Sequence, residues 1–114
     1  LGPQAGGPTL LPKPEVQITP SRIHGVVQAV DSFGNLITNI TAEMLAGRPT
    51  DRRACIVFGI FETWGIHNTY GEQAPGTLVA LIDSRGRLEI AIVDDNAAER
   101  LGLAAGTPVV IGWE

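Results

Sequence analysis

Turn-forming residues divide this sequence into short segments. The 114 residues include 14 glycines and 8 prolines, while 44% of the chain is hydrophobic. Glycine and proline interrupt helices and favour tight turns, so this composition predicts many short elements. A chain of this length has room for one domain with one core.

The apolar runs between these turns are typical of short strands. Strands are predicted over residues 23–30, 36–40, 54–58, 61–66, 77–82, 88–93 and 108–111. Short helices are predicted at residues 42–46, with Thr41 as N-cap, and at residues 97–101, where Asn96 and Glu99 match a capping box. The pattern predicts a mostly β fold: a small antiparallel β-barrel or sandwich with one or two short helices.

The start of the chain differs in composition from the rest. Five of the eight prolines lie within residues 1–20. We interpret residues 1–21 as an extended linker and residues 22–114 as the barrel domain. Because the first residue is Leu1 and not methionine, we expect the chain to be a fragment: a trimmed chain, a cleavage product or one domain of a longer protein.

Charge and composition disfavour several classes of partner. The formal charge is -4, from 8 Lys+Arg and 12 Asp+Glu, which disfavours a nucleic-acid-binding barrel. Arg48, Arg52 and Arg53 cluster, but Asp51 lies among them, and we interpret this segment as a solvated loop. No apolar run reaches the length of a membrane span.

The cysteine content predicts a reducing compartment. The single cysteine, Cys55, forms no intrachain disulfide, and its apolar neighbours favour a core position. We therefore expect a cytoplasmic protein without a membrane partner.

The common catalytic motifs are absent from the sequence. There is no His-x-x-x-His pair, no Gly-x-Ser-x-Gly elbow, no phosphate loop and no dinucleotide fingerprint. The adjacent Asp94 and Asp95 are interpreted as solvated loop carboxylates, and a metal site has no support.

Recognition groups do occur at two turns. Phe33 offers a ring face and Asn35 a donor and an acceptor, while Asp31 can hold an ammonium group. Ser84 and Arg85 can clamp a carboxylate. Each has an ordinary structural explanation, since Asp and Asn at turns usually bond their own backbone. Together, an ammonium, a carboxylate and a flat purine belong to S-adenosyl-L-methionine.

Three segments carry a family resemblance. Residues 31–40, Asp-Ser-Phe-Gly-Asn-Leu-Ile-Thr-Asn-Ile, resemble the signature of the S-adenosyl-L-methionine hydroxide adenosyltransferase family, which is similar to fluorinases and chlorinases. Residues 69–70 with 76–80 resemble the next block, and residues 84–91 with 96–102 resemble the third. The resemblance extends over residues 25–111, the whole of that family's C-terminal domain.

The resemblance implies a reaction and an assembly. S-adenosyl-L-methionine would be the substrate, hydrolysed to adenosine and L-methionine by displacement at the ribose 5′-carbon, with no cofactor or metal. The enzyme would be a homotrimer in which the ligand lies between this domain and the N-terminal domain of a neighbouring subunit. The catalytic groups would lie in that other domain, so the isolated chain is expected to be inactive.

The resemblance also implies roles for individual residues. Asn35 would bond the adenine edge, and the rings of Phe33 and Tyr70 would flank the two faces of the adenine. Asp31 would take the methionine ammonium. Ser84 and Arg85 would bind the methionine carboxylate. Glu89 would lie near the ligand.

Two further points stay open at this stage. A backbone contact to adenine would come from Ile92-Val93 or from Asn96-Ala97, and strand register favours Ile92. The nucleophile would be water or a halide, and residues 36–37 and 88–91 look more like the hydrolase branch than the halogenase branch.

A non-catalytic barrel that serves as an oligomerisation or binding module is the alternative to an enzyme domain.

Overall fold

Nine strands and two short helices make up the described part of the chain, residues 16–68 and 73–113 of this computed structural model. In chain order they are β1 (Gln17–Ile18), β2 (Arg22–Val30), β3 (Leu36–Thr41), α1 (Ala42–Leu45), β4 (Ala54–Phe58), β5 (Phe61–Trp64), β6 (Ile66–His67), β7 (Leu78–Ile82), β8 (Arg87–Ile92), α2 (Ala97–Leu101) and β9 (Pro108–Trp113). The predicted mostly β fold is confirmed.

The strands form one nearly closed sheet. Their order is β5-β4-β9-β2-β3-β8-β7-β6, with β1 paired to β2. Only β6 and β7 pair in parallel; the other described pairs are antiparallel.

A single glycine brings the two ends of the sheet together. Gly65, at φ 85°, lies between β5 and β6. The chain pairs with β4 before this residue and with β7 after it. The sequence predicts one strand over residues 61–66, whereas the structure has two, because the left-handed backbone of Gly65 redirects the chain.

Alternating side chains fill the barrel. Ile23 and Val27 of β2, Ile56 and Phe58 of β4 and Ile90 of β8 all point into the main core. Strand β7 is buried on both faces, as its continuous apolar sequence predicts. A second cluster on the other face of the β7–β8 hairpin consists of Val79, Leu81, Ala91 and Val93.

Both predicted helix caps differ in detail from the structure. Thr41 is the N-cap residue of α1, as predicted, but its side chain makes no capping hydrogen bond. Asn96 does cap α2, because its side chain accepts from the Glu99 N–H at 2.8 Å. The reciprocal bond of a capping box is absent, since the Asn96 N–H donates to Asp95 Oδ1 at 2.8 Å instead.

The predicted core position of Cys55 is wrong. Ala54, Ile56 and Phe58 are fully buried, which places Cys55 on the outer face of β4, where it is half-buried. A strand alternates its side chains, so only one set can fill the barrel.

The predicted domain boundary falls close to the first strand. β1 lies inside the segment predicted as linker and pairs with β2 through Gln17 opposite His24 and Ile18 opposite Ile23. The division at residue 21 stays a prediction. Within residues 16–68 and 73–113, no helix is long and apolar enough to span a membrane.

Candidate functional site

The turn between β2 and β3 is organised by one carboxylate. Asp31 Oδ1 accepts the backbone N–H groups of Phe33 and Asn35, each at 2.9 Å, and Asp31 Oδ2 accepts from Asn35 Nδ2 at 3.2 Å. The Gly34 N–H donates to the Asp31 carbonyl at 3.0 Å. This Asx turn fixes both the backbone and the amide plane of Asn35. Asn35 is only 7% exposed, whereas the ring of Phe33 is 76% exposed.

The same turn packs against the start of α2. Gly34 has φ 85°, and a Cβ placed there would overlap the Asn96 side-chain amide. The Ala98 N–H also donates to the Gly34 carbonyl at 2.8 Å. A residue without a side chain is therefore required at position 34 by both the backbone angle and the contact.

A cleft of about 700 Å³ lies beside the turn. Its volume is in the range of small-molecule sites. One side is Phe33 and Asn35, and the other side is the end of β8 with the loop that follows it. The lining residues from that second side are Ile92, Val93, Asp94 and Asp95, and Gln73 from the segment before β7 completes the lining.

The loop after β8 is held in a tight turn. The Asp95 N–H donates to the Ile92 carbonyl at 3.0 Å, and Asp94 within the turn has φ 58°. Asp94 is the one non-glycine residue with positive φ among those described. Such a conformation strains an ordinary side chain but is tolerated better by Asp.

Asp95 anchors this loop to α2. Its Oδ1 accepts the Asn96 N–H, and its Oδ2 lies 2.7 Å from Arg100 Nε. The hydrogen bond from the Asn96 backbone, with further help from Arg100, lowers the pKa of the Asp95 carboxyl below its ordinary value.

Ser84 and Arg85 lie at the opposite end of β8 from Ile92. They are exposed in the β7–β8 turn, and β8 has six residues, Arg87–Ile92. At ~3.3 Å per residue the two ends of the strand are roughly 17 Å apart. The structure therefore brings Phe33, Asn35 and Ile92 to one cleft, and Asp31 is hydrogen-bonded to Asn35 without lining the cleft itself. It does not bring Ser84 and Arg85 to this cleft.

Of the two remaining predicted site residues, only Glu89 is in the described part of the chain, and it does not line the cleft. Glu89, in the middle of β8, is opposite Ile37 and Leu81 and is 7% exposed. Tyr70 lies outside the described residues. No group of three or more His, Cys, Asp or Glu side chains suited to a metal ion occurs in the described ranges.

Sequence reasoning missed Gln73, Asp94 and Asp95 as cleft residues. Asp94 was interpreted as a solvated loop carboxylate, yet it lines the cleft. The signal available in the sequence was its position directly after an apolar strand, β8, which pairs with the strand that follows the Phe-Gly-Asn turn. No sequence pattern reports the contact between Gly34 and Asn96, because 61 residues separate them in the chain.

The fold and the cleft define a small β-barrel domain with a ligand-sized site beside an Asx turn. The family model described as SAM hydroxide adenosyltransferase C-terminal domain matches residues 25–110. The chain belongs to this family, and the predicted membership is confirmed.

Two curated relatives carry the name (R)-S-adenosyl-L-methionine hydrolase. The protein from Thermus thermophilus is 34% identical over 89 residues, which cover 75% of this chain and 30% of the relative. The protein from Salinispora tropica is 31% identical over 107 residues, covering 92% of this chain and 39% of the relative. The chain thus spans roughly a third of the length of the curated relatives it matches.

Two solved structures are similar in fold. A crystal structure of an uncharacterized conserved protein from Thermotoga maritima has a TM-score of 0.75 and 27% identity, covering 90% of this chain and 40% of that one. A conserved hypothetical protein from Thermus thermophilus has a TM-score of 0.60 and 31% identity, covering 77% of this chain and 32% of that one.

Proposed function

We propose that this chain is the C-terminal substrate-binding domain of an enzyme that hydrolyses S-adenosyl-L-methionine to adenosine and L-methionine. The relatives named as S-adenosyl-L-methionine hydrolases support the reaction class. The observation that carries the binding role is the cleft that combines the exposed Phe33 ring with the fixed Asn35 amide.

Adenine is the part of the substrate that this cleft suits. A purine stacked on Phe33 covers a ring that is otherwise exposed to water, and it presents its polar edge to Asn35. The hydrogen bond from Asn35 Nδ2 to Asp31 orients the amide before the ligand arrives. Such preorganisation reduces the entropy lost on binding.

The backbone contact to adenine is better assigned to Asp94 than to Ile92 or Val93. The Ile92 carbonyl accepts from Asp95, and the Val93 N–H donates to the Thr77 carbonyl at 3.0 Å. The Val93 carbonyl accepts from the Gly76 N–H at 2.8 Å. In contrast, the N–H and carbonyl of Asp94 make no hydrogen bond within the described residues, and Asp94 lines the cleft.

The methionine end of the substrate is assigned less directly. Asp31 already accepts three hydrogen bonds within its turn, and an ammonium group would use its remaining acceptor capacity. Ser84 and Arg85 bind the carboxylate only of a ligand that extends along β8, because of the ~17 Å between the ends of that strand. Glu89 lies on β8 between the two ends of that strand, and we propose that it is near such a ligand.

The chemical step belongs to residues outside this chain. The proposed assembly is a cytoplasmic homotrimer in which the N-terminal domain of a neighbouring subunit covers Phe33 and supplies the groups that activate water. No cofactor or metal takes part in the proposed displacement at the ribose 5′-carbon. The 114-residue chain alone is therefore expected to bind weakly and to be inactive.

Two experiments test this function. The longer protein that contains this domain, incubated with S-adenosyl-L-methionine, is expected to release adenosine and L-methionine, measured by chromatography. A product that depends on added chloride or fluoride would instead indicate a halogenase. For the chain alone, adenosine is expected to shift the backbone amide resonances of Asn35 and Asp94 in a ¹⁵N spectrum, and an absence of saturable shifts would contradict the binding role.

A further inference from the structure

A second surface lies on the outside of the sheet formed by β5, β4, β9 and β2. Residues directly opposite in neighbouring strands share a face. Trp64 is opposite Cys55, Cys55 is opposite Gly112, and Gly112 is opposite Arg22. Their sequence neighbours Ala54, Ile111 and Ile23 are fully buried, so this row of four residues faces outward.

A notch interrupts this row. A Cβ added at Gly112 would meet nothing within 4 Å, so the space above Gly112 is open. Around it lies a groove of about 250 Å³, which we call the outer groove. Besides the row itself, the outer groove is lined by Arg52, Arg53, Val57, Val110 and Trp113.

Apolar side chains of the outer groove are exposed to solvent, and one of its lining residues, Trp113, is held in place by its neighbours. Trp64 is 48% exposed and Val57 is 40% exposed. Trp113 is fixed by a 2.7 Å hydrogen bond from its Nε1 to the Pro49 carbonyl, and the Arg48 guanidinium lies 4.8 Å above its ring. A half-exposed tryptophan beside a preorganised wall is typical of a binding surface.

The charge of the outer groove is opposite to that of the whole chain. The chain carries -4 overall, but three arginines, Arg22, Arg52 and Arg53, line the groove. Arg53 is paired with Asp51 at 3.0 Å. Arg22 and Arg52 form no ion pair within the described ranges. Glu62 of β5 is in the neighbouring row, opposite Val57, and its Oε2 lies 3.9 Å from Cys55 Sγ, so one carboxylate reaches the side of the groove away from Arg22.

We propose that the outer groove docks an acidic peptide segment of another protein. One aliphatic side chain of the segment fills the notch over Gly112 and Cys55 beside Trp64, and its carboxylates pair with Arg22 and Arg52. Arginine suits this role because its planar fork binds carboxylates with two parallel hydrogen bonds. The proposal uses no residue of the Phe33 cleft and does not depend on the function proposed for that cleft.

The probe for this proposal is the peptide acetyl-Asp-Glu-Leu-Asp-Glu-amide, titrated into the ¹⁵N-labelled chain. We expect saturable shifts of the Cys55 and Gly112 amides and of the Trp64 indole N–H. Arg22→Gln/Arg52→Gln is expected to weaken binding about fivefold or more. The control Arg87→Gln, at the start of β8 and outside the outer groove, is expected to leave binding unchanged.

A shape variant separates docking from general charge attraction. Gly112→Val places a Cβ where nothing lies within 4 Å, and a β-branched residue suits a strand, so the barrel is expected to stay folded while peptide binding is lost. The proposal is overturned if the neutral peptide acetyl-Asn-Gln-Leu-Asn-Gln-amide gives the same shifts, if no resonance shifts, or if Gly112→Val binds as well as the unmodified chain.

Discussion

Asp31 and Asp83 hold two turns of the same design at opposite ends of β8. Each begins an Asp-Ser-x-Gly-x segment. Asp31 Oδ1 accepts from the N–H groups two and four residues ahead, and Asp83 Oδ1 does the same toward Arg85 at 2.8 Å and Arg87 at 3.0 Å. In both turns the glycine N–H donates to the Asp carbonyl at 3.0 Å. The two turns therefore serve as internal controls for each other.

Asp31→Ala is expected to lower the free energy of unfolding by about 1–3 kcal/mol. The reason is that the backbone N–H and the side-chain amide of Asn35 lose the carboxylate that accepts their hydrogen bonds. Asp83→Ala is expected to have an effect of similar size, measured by urea denaturation. Only Asp31→Ala is expected to reduce the amide shifts caused by adenosine. Equal loss of adenosine binding in both variants would argue against a site at the Asp31 turn.

Gly34→Ala is expected to destabilise the barrel more than Gly86→Ala. Both glycines have positive φ, 85° and 79°, so both variants strain the backbone by ~1–2 kcal/mol. At Gly34 the new methyl group also overlaps Asn96, whereas at Gly86 it meets nothing within 4 Å. The expected difference in unfolding free energy is at least ~1 kcal/mol. Equal values from the two denaturation curves would show that the contact with Asn96 adds nothing.

The turns and most strands were predictable from the sequence because their causes are local. Gly59 and Gly86 mark the hairpin turns that their sequence context predicts. The run Ala-Cys-Ile-Val-Phe at residues 54–58 predicts a strand but has no polar residue to show which side chains face inward. That ambiguity explains why Cys55 was assigned to the core, where Ile56 lies instead.

The candidate site was predictable only in part. The Asp31–Asn35 turn is a local motif, so its hydrogen bonds follow from the sequence. The contribution of Asp94 and Asn96 depends on how β8 and α2 pack against that turn, which is a long-range property of the fold. The separation of Arg85 from Asn35 follows from the length and pairing of β8, which motif order along the chain does not report.

Asn35→Ala in the proposed full-length enzyme is expected to weaken substrate binding by about 1–3 kcal/mol, because the adenine edge loses its proposed buried partner. Binding is measured by calorimetry with S-adenosyl-L-methionine. Asn39→Ala is the matched control: this amide lies in β3, the strand that follows Asn35, and accepts from the Val26 N–H at 2.9 Å, away from the cleft. An unchanged affinity for Asn35→Ala would leave Asn35 as a turn residue only.

Asp95→Asn is expected to flatten the acid dependence of stability. The folded state holds the pKa of Asp95 below its ordinary value, first through the Asn96 N–H and then through Arg100. A depressed pKa means that the charged carboxylate stabilises the fold. This contribution is complete above about pH 4, the range of a free carboxyl, and is lost as the pH falls through the lower folded pKa.

The measurement is the urea midpoint at about pH 7 and about pH 3. We expect the midpoint to fall less on acidification in Asp95→Asn than in the unmodified chain. Asp94→Asn is the control, since Asp94 makes no hydrogen bond or ion pair within the described residues. If both variants change the acid dependence equally, the anchoring of α2 by Asp95 does not contribute to the stability of the barrel.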